Sequence, residues 1–88
     1  MASQNDTTQV TVGTSPTLIL AARSGRASAT ISNHGTTDVL IGKYNVSTST
    51  GALLPGVKGA AYDVFGSGAV YGIVATGSQL VSAIEFFG

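Results

Sequence analysis

The chain has 88 residues, with four basic and four acidic side chains that cancel to zero net charge, and it contains no cysteine. That length makes one small domain; disulfides and thiolate metal sites are excluded, and one histidine with four carboxylates is too few for a structural zinc site. Charged residues form only 9% of the chain, against a typical ~25%, so no basic patch exists to track nucleic-acid phosphates.

Met1 to Thr8, "MASQNDTT", is polar throughout. It reads as a flexible N-terminal arm over residues 1–8, ahead of a single domain over 9–88. It lacks the apolar centre of a secretory leader, so synthesis in the cytoplasm is expected. The longest apolar run, Leu18 to Ala22, is far too short to cross a membrane.

From there the pattern is strand after strand. Gln9–Val12 is the first, and Thr17–Ala22 follows the turn at Gly13–Pro16. Ala27–Asn33 alternates cleanly: Ala27, Ala29 and Ile31 share one face, Ser28, Thr30 and Ser32 the other. Asp38–Tyr44 is the fourth strand. Ala52–Leu54 is a short fifth, stopped by Pro55-Gly56. Lys58–Val64, Ala69–Ala75 and Gln79–Phe87 complete the set. Gly13, Gly25, Gly35, Gly42, Gly51, Gly59, Gly68, Gly77 and Gly88 follow one another at 7 to 12 residues, and no window holds a helical apolar period unbroken. The expectation is an all-β fold, a small antiparallel sandwich of eight short strands in jelly-roll style, with little or no helix.

The turns between strands carry their own signals. Gly66-Ser67-Gly68 and Thr76-Gly77-Ser78 offer backbone freedom suited to tight hairpins. "NVSTSTG", Asn45 to Gly51, reads as an exposed loop able to reorder against a partner. "NHGTTD", Asn33 to Asp38, reads as a hairpin loop around the single histidine.

That histidine is the first candidate for chemistry. His34 has no nucleophile or second acid–base group beside it in sequence, so the turn reading prevails. Gly66, Gly68 and Gly72 faintly suggest a phosphate loop. The dinucleotide pattern needs glycine where Tyr71 stands, and no helix follows. Asp6, Asp38, Asp63 and Glu85 are spread along the chain and read as solvated strand ends rather than a catalytic pair. No catalytic, cofactor or metal residue is assigned, and an enzyme is not expected.

The residues that stand out are apolar or cationic. Phe86 and Phe87 are adjacent on a strand, so their rings point to opposite faces. The same holds for Leu53 and Leu54. Along "AVYGIVA", Val70 and Val74 face one way while Tyr71, Ile73 and Ala75 face the other. A strand apolar on both faces is covered on both faces, and in a sandwich this small a second subunit supplies the cover. Arg23 and Arg26 bracket "RSGR" and either hold acidic groups on a neighbour or stay solvated in a turn. Candidate subunit or partner contacts are therefore Arg23, Arg26, Leu53, Tyr71, Phe86 and Phe87. Gly, Ser and Thr supply 33 of the 88 residues, a surface suited to close packing against protein.

One resemblance accompanies these readings. An arginine before "ATISN", then "VLIG", "GALLPG" and "GSGAVYGIVATGSQLVSAIEF", is similar to the small β-rich virion proteins encoded among head and tail genes of tailed bacteriophages. The matching positions are Arg26, Ile31, Asn33, Ile41, Gly42, Gly51, Leu54, Gly56, Gly68, Tyr71, Gly77 and Glu85, spread over Val10 to Gly88. The resemblance implies a structural role on the capsid surface: a decoration, or cement, protein that binds the major capsid protein at capsomer junctions and stabilises the shell, as a homo-oligomer with a trimer favoured. A small head-fibre, spike or tail module that binds a receptor or glycan is the alternative. Neither implies nucleic acid, membrane or cofactor.

Overall fold

The structure is a computed structural model that describes residues 4–87. Its strands are β1 (Gln4–Val12), β2 (Thr17–Leu20), β3 (Arg26–Asn33), β4 (Val39–Gly42), β5 (Ala52–Leu54), β6 (Ala61–Phe65), β7 (Val70–Ile73) and β8 (Gln79–Phe87). They form two antiparallel four-stranded sheets, ordered β1-β8-β3-β6 and β2-β7-β4-β5. All connections except β4–β5 cross from one sheet to the other, which is the jelly-roll arrangement. The described residues contain no helix, and so none long and apolar enough to cross a membrane.

The alternation read from the sequence builds the core. Val12, Leu20, Ile31, Val39, Leu54, Val74 and Val81 are essentially fully buried between the sheets. Each such side chain contributes about 1.5–3 kcal/mol on leaving water. Leu54 faces in while Leu53 faces out at 53% exposure, as adjacent strand residues must.

The sixth strand, expected over Lys58–Val64, runs instead from Ala61 to Phe65, and two further expectations change. The first strand begins at Gln4, not Gln9: Asn5 to Thr8 pair with Phe86 to Ala83 of β8. A polar arm pairs when a strand of sufficient length lies beside it, because backbone groups rather than side chains make the ladder. The arm expected over 1–8 thus joins the sheet from residue 4, and residues 1–3 lie outside those described. Second, "NHGTTD", "GSG" and "TGS" do not close hairpins. Each carries the chain between sheets, so its flanking strands are not hydrogen-bonded to each other. The β4–β5 connection is the true hairpin, and its "NVSTSTG" loop is anchored: Val46 is buried and packs at Gly42 and Gly51.

Gly56 shows why one turn tolerates only glycine. A Cβ there would sit 2.7 Å from the Thr36 carbonyl carbon and 2.9 Å from the Asp38 nitrogen, and backbone does not yield as a side-chain tip does. Gly13, by contrast, has open space around the Cβ position. Gly56→Ala is expected to lower stability by about 1–3 kcal/mol, while Gly13→Ala stays within about 0.5 kcal/mol of the parent. Urea unfolding midpoints check both, and equal effects would contradict the close approach.

Candidate functional site

At one end of the sandwich a β-bulge sets the chemistry. β3 pairs Arg26 with Phe87 and Ser28 with Phe86, leaving Ala27 extra. A bulge re-aims a side chain, and here it turns Arg26 inward, where it is 4% exposed. The guanidinium Nε donates to the Gly66 carbonyl at 3.0 Å. Nη1 donates to the Ala21 carbonyl at 2.9 Å and to Glu85 Oε2 at 3.1 Å. Nη2 donates to the Gly68 carbonyl. Glu85 is equally buried on β8, and its other oxygen accepts from Arg23 Nη1 at 3.2 Å. Arg23 also holds Asp6 Oδ2 at 2.9 Å and lies 4.8 Å over the Phe87 ring, a cation–π distance.

This cluster corrects two sequence readings. Arg26 belongs to the chain's own interior, so it is not available to a neighbour. Glu85 is a buried ion-pair partner, not a solvated strand end. Arg23 and Phe87 first serve each other. Sequence reasoning missed the cluster because the bulge at Ala27 breaks period two, and Arg26 lies 59 residues from Glu85.

The Arg23 hydrogen bond is the largest cause that holds the Asp6 carboxyl below its ordinary 3.8, with the Thr7 N–H assisting. Asp6 in turn is the main cause that raises Arg23 above its usual value.

The other end is organised by Asn33. Its Nδ2 donates to the Thr37 and Pro55 carbonyls at 2.9 and 3.0 Å, and its Oδ1 accepts from the Gly35 N–H at 2.9 Å. Asn33 is 1% exposed, so its value is these three hydrogen bonds rather than turn flexibility. His34 beside it is exposed, and its backbone N–H meets the Leu80 carbonyl. Asp38 accepts the Gly56 N–H at 2.6 Å. No hydrogen bond joins His34 to Asp38, and among the described residues no three His, Asp or Glu side chains gather as a metal site.

A third region is apolar. The strands β2, β7, β4 and β5 read TLIL, VYGI, VLIG and ALL, with no charged residue. Outside this sheet stand Leu18, 44% exposed, and Leu53, with half-buried Tyr71 and Leu40 between them. Tyr71 pairs with Leu18, and Leu40 with Leu53 and Ile73, so these side chains lie side by side. The structure therefore brings Leu53 and Tyr71 of the expected contacts onto one face, and adds Leu18, which sequence reading left out. Phe86, 39% exposed, lies on the outer face of the other sheet with Phe65, at 83% exposure. Phe65 was legible in principle: it shares strand parity with Asp63, a residue that favours water.

No protein-family model and no curated protein matches the chain. Among solved structures it is similar to a subunit of Bacillus endospore appendages, described as a novel family of disulfide-linked pili. The TM-score is 0.59 at 12% identity, covering 98% of this chain and 87% of that one. At that identity the likeness is one of fold. Disulfide linkage has no counterpart here, since the chain has no cysteine.

Arg26→Ala leaves buried Glu85 with Arg23 as its one remaining ion-pair partner and opens the carbonyls of Ala21, Gly66 and Gly68, and is expected to cost about 3–5 kcal/mol, read by chemical denaturation. A change of under 1 kcal/mol would show that the carboxylate relaxes outward. Asp6 acts through pH instead. Its pKa is lowered by folding, so its contribution is complete above pH 3.8 and is lost as pH falls through the lowered value. Asp6→Asn is expected to flatten the stability–pH curve below pH 3.8, followed by thermal unfolding at a series of pH values.

Proposed function

We propose that this chain is a structural subunit that works by packing against other protein, and that its setting is a virus particle. In that setting it is a decoration protein bound at capsomer junctions on the shell of a tailed bacteriophage. The observation that carries the reading is the uncharged outer face of Leu18, Leu40, Leu53 and Tyr71. Large apolar side chains gathered on one exposed face mark an interaction surface. A shell is reinforced when a small rigid body buries such a surface across several capsid subunits, because those contacts must break before the shell opens. Net neutrality supports the same reading, as a monomer that works alone is kept dispersed by charge. The resemblance quoted from Arg26 to Glu85 supplies the phage setting, and a trimer on a three-fold axis is the matching form.

Leu53→Asp is expected to weaken retention on shells at least tenfold, since burying one leucine contributes about 1.5–3 kcal/mol. Co-sedimentation of the parent and variant chains with expanded heads measures it. Equal retention, or particles without the protein that resist heat as well as complete ones, would remove the shell role. Density for the chain at a fibre or tail tip would put the receptor- or glycan-binding role in its place.

A further inference from the structure

The two sheets differ in how their edges are guarded. Native sheets protect edge strands with bulges, proline, charged side chains, inward-pointing charges or brevity. β2 carries a register shift at Leu18 to Leu20, and β5 is three residues long and followed by Pro55. The larger sheet has no bulge, proline or lysine at its edges; its edge charges are Asp6, turned to the inner face of β1, and Asp63 on β6. β1 runs nine residues and β6 five, both in unbroken register and without proline or lysine. Among the described residues no strand pairs with the outer side of either.

Which backbone groups are free follows from the ladders. Asn33 N–H bonds the Ala60 carbonyl and Gly66 N–H bonds the Ala27 carbonyl, so odd-numbered residues of β3 bond to β6. His34 N–H bonds the Leu80 carbonyl, so even-numbered residues bond to β8. Alternation then leaves Ala61, Asp63 and Phe65 free on β6, and Asn5, Thr7, Gln9 and Thr11 free on β1. Both free sets carry their side chains on the outer face. The antiparallel sheet has four strands, so β1 and β6 also run in opposite directions.

From this we infer that β6 pairs with β1 of a second copy of the chain, head to tail, continuing the larger sheet. Direction, hydrogen-bond parity and side-chain face all match, as they must for an even-stranded antiparallel sheet that joins its own copy. The ladder rows give the level register. Thr7, Ile84, Thr30 and Asp63 share one row, so Asp63 meets Thr7 of the next copy. Phe65 meets Asn5, and Ala61 meets Gln9. No like charges oppose each other, because Asp6 points to the inner face with Glu85. The joint also covers the groove of about 460 Å³ that opens between β6 and the β4–β7 side, bordered by Ile41, Tyr62, Val64 and Val70. A contact between unlike edges closes into a ring when the rotation permits and otherwise grows into a filament. This extends the subunit reading but does not depend on a shell.

The test uses the absence of native cysteine. Gln9 and Ala61 are exposed and sit at opposite edges of one copy, three strand spacings or about 14 Å apart, beyond disulfide reach. The double variant Gln9→Cys/Ala61→Cys, mildly oxidised at high protein concentration, is expected to give a ladder on non-reducing gels. A ladder that ends at a closed ring of three and one that runs on both support the pairing. Either single variant is expected to yield no efficient cross-link. Gln9→Pro removes a free N–H and is expected to shift the mass in light scattering to one chain, with the circular dichroism spectrum unchanged. If that variant fails to fold, the cysteine ladder decides. Monomer alone, dimer alone, or dimers of the Ala61→Cys single variant would overturn head-to-tail pairing. Weak shell retention with an intact ladder would fault the shell role instead.

Discussion

The Arg26–Glu85 pair is the constraint on which one end of this protein depends. Its two charges are buried, and burial of an unpaired charge costs several kcal/mol. Each must therefore be met, and meeting them dictates the surroundings. Arg26 binds the carbonyls of Ala21, Gly66 and Gly68, which belong to the chain after β2 and the β6–β7 connection. Those segments cross between sheets. One side chain thus sets how the sheets are joined at that end, and the bulge at Ala27 exists to deliver it. Asn33 performs the same task at the far end with an amide, taking carbonyls from Thr37 and Pro55 and an N–H from Gly35. Apolar layers fill the middle, and polar clasps close both ends.

That arrangement also takes two of the chain's few charged residues off the surface. Asp6, Arg23, Arg26 and Glu85 form one connected group, half of the eight charged residues. Asp38 and Asp63 are further occupied by the Gly56 N–H and the Thr30 hydroxyl. Only Arg26 and Glu85 leave the surface, while Lys43 and Lys58 make no ion pair among the described residues. A chain of this size buries only about 60–65% of its unfolded surface, and without disulfides its margin is small.

Much of the fold was legible because period-two alternation is a local property. "ATISN" declares its faces from side-chain type alone, and Leu54 and Val81 are buried where the pattern puts them, whereas Ala27, read on the face of Ala29 and Ile31, is exposed at the bulge. What escaped was whatever depends on a partner strand. "GSG" marks a reversal, but whether the chain re-enters the same sheet or the opposite one is a difference of about 5 against about 10 Å, set by packing elsewhere. Asn5 to Thr8 look unstructured until β8 lies beside them. Arg26 and Glu85 look like surface residues until a one-residue bulge turns one of them inward. Of the expected contacts, Leu53, Tyr71 and Phe86 stay at the surface, since strand parity fixes them. Arg26 does not, since a bulge breaks that parity.

The positions that carry the resemblance to phage virion proteins have a physical reading of their own. Arg26, Gly68 and Glu85 make the clasp at one end, and Asn33 and Gly56 the clasp at the other. Gly42 and Gly51 let Val46 seat against the β4–β5 hairpin. Ile31, Ile41 and Leu54 are core. Nearly all of them specify how a small jelly roll is closed, so any protein solving that problem in this way would share them. A similarity of that kind transmits architecture first. What distinguishes one use of the architecture from another lies where these positions are silent: in the apolar outer face of the smaller sheet and in the unpaired edges of the larger one. The two surfaces do not compete, since one uses side chains on a sheet face and the other uses backbone at strand edges. A subunit with both can join its own copies through the second and still present the first.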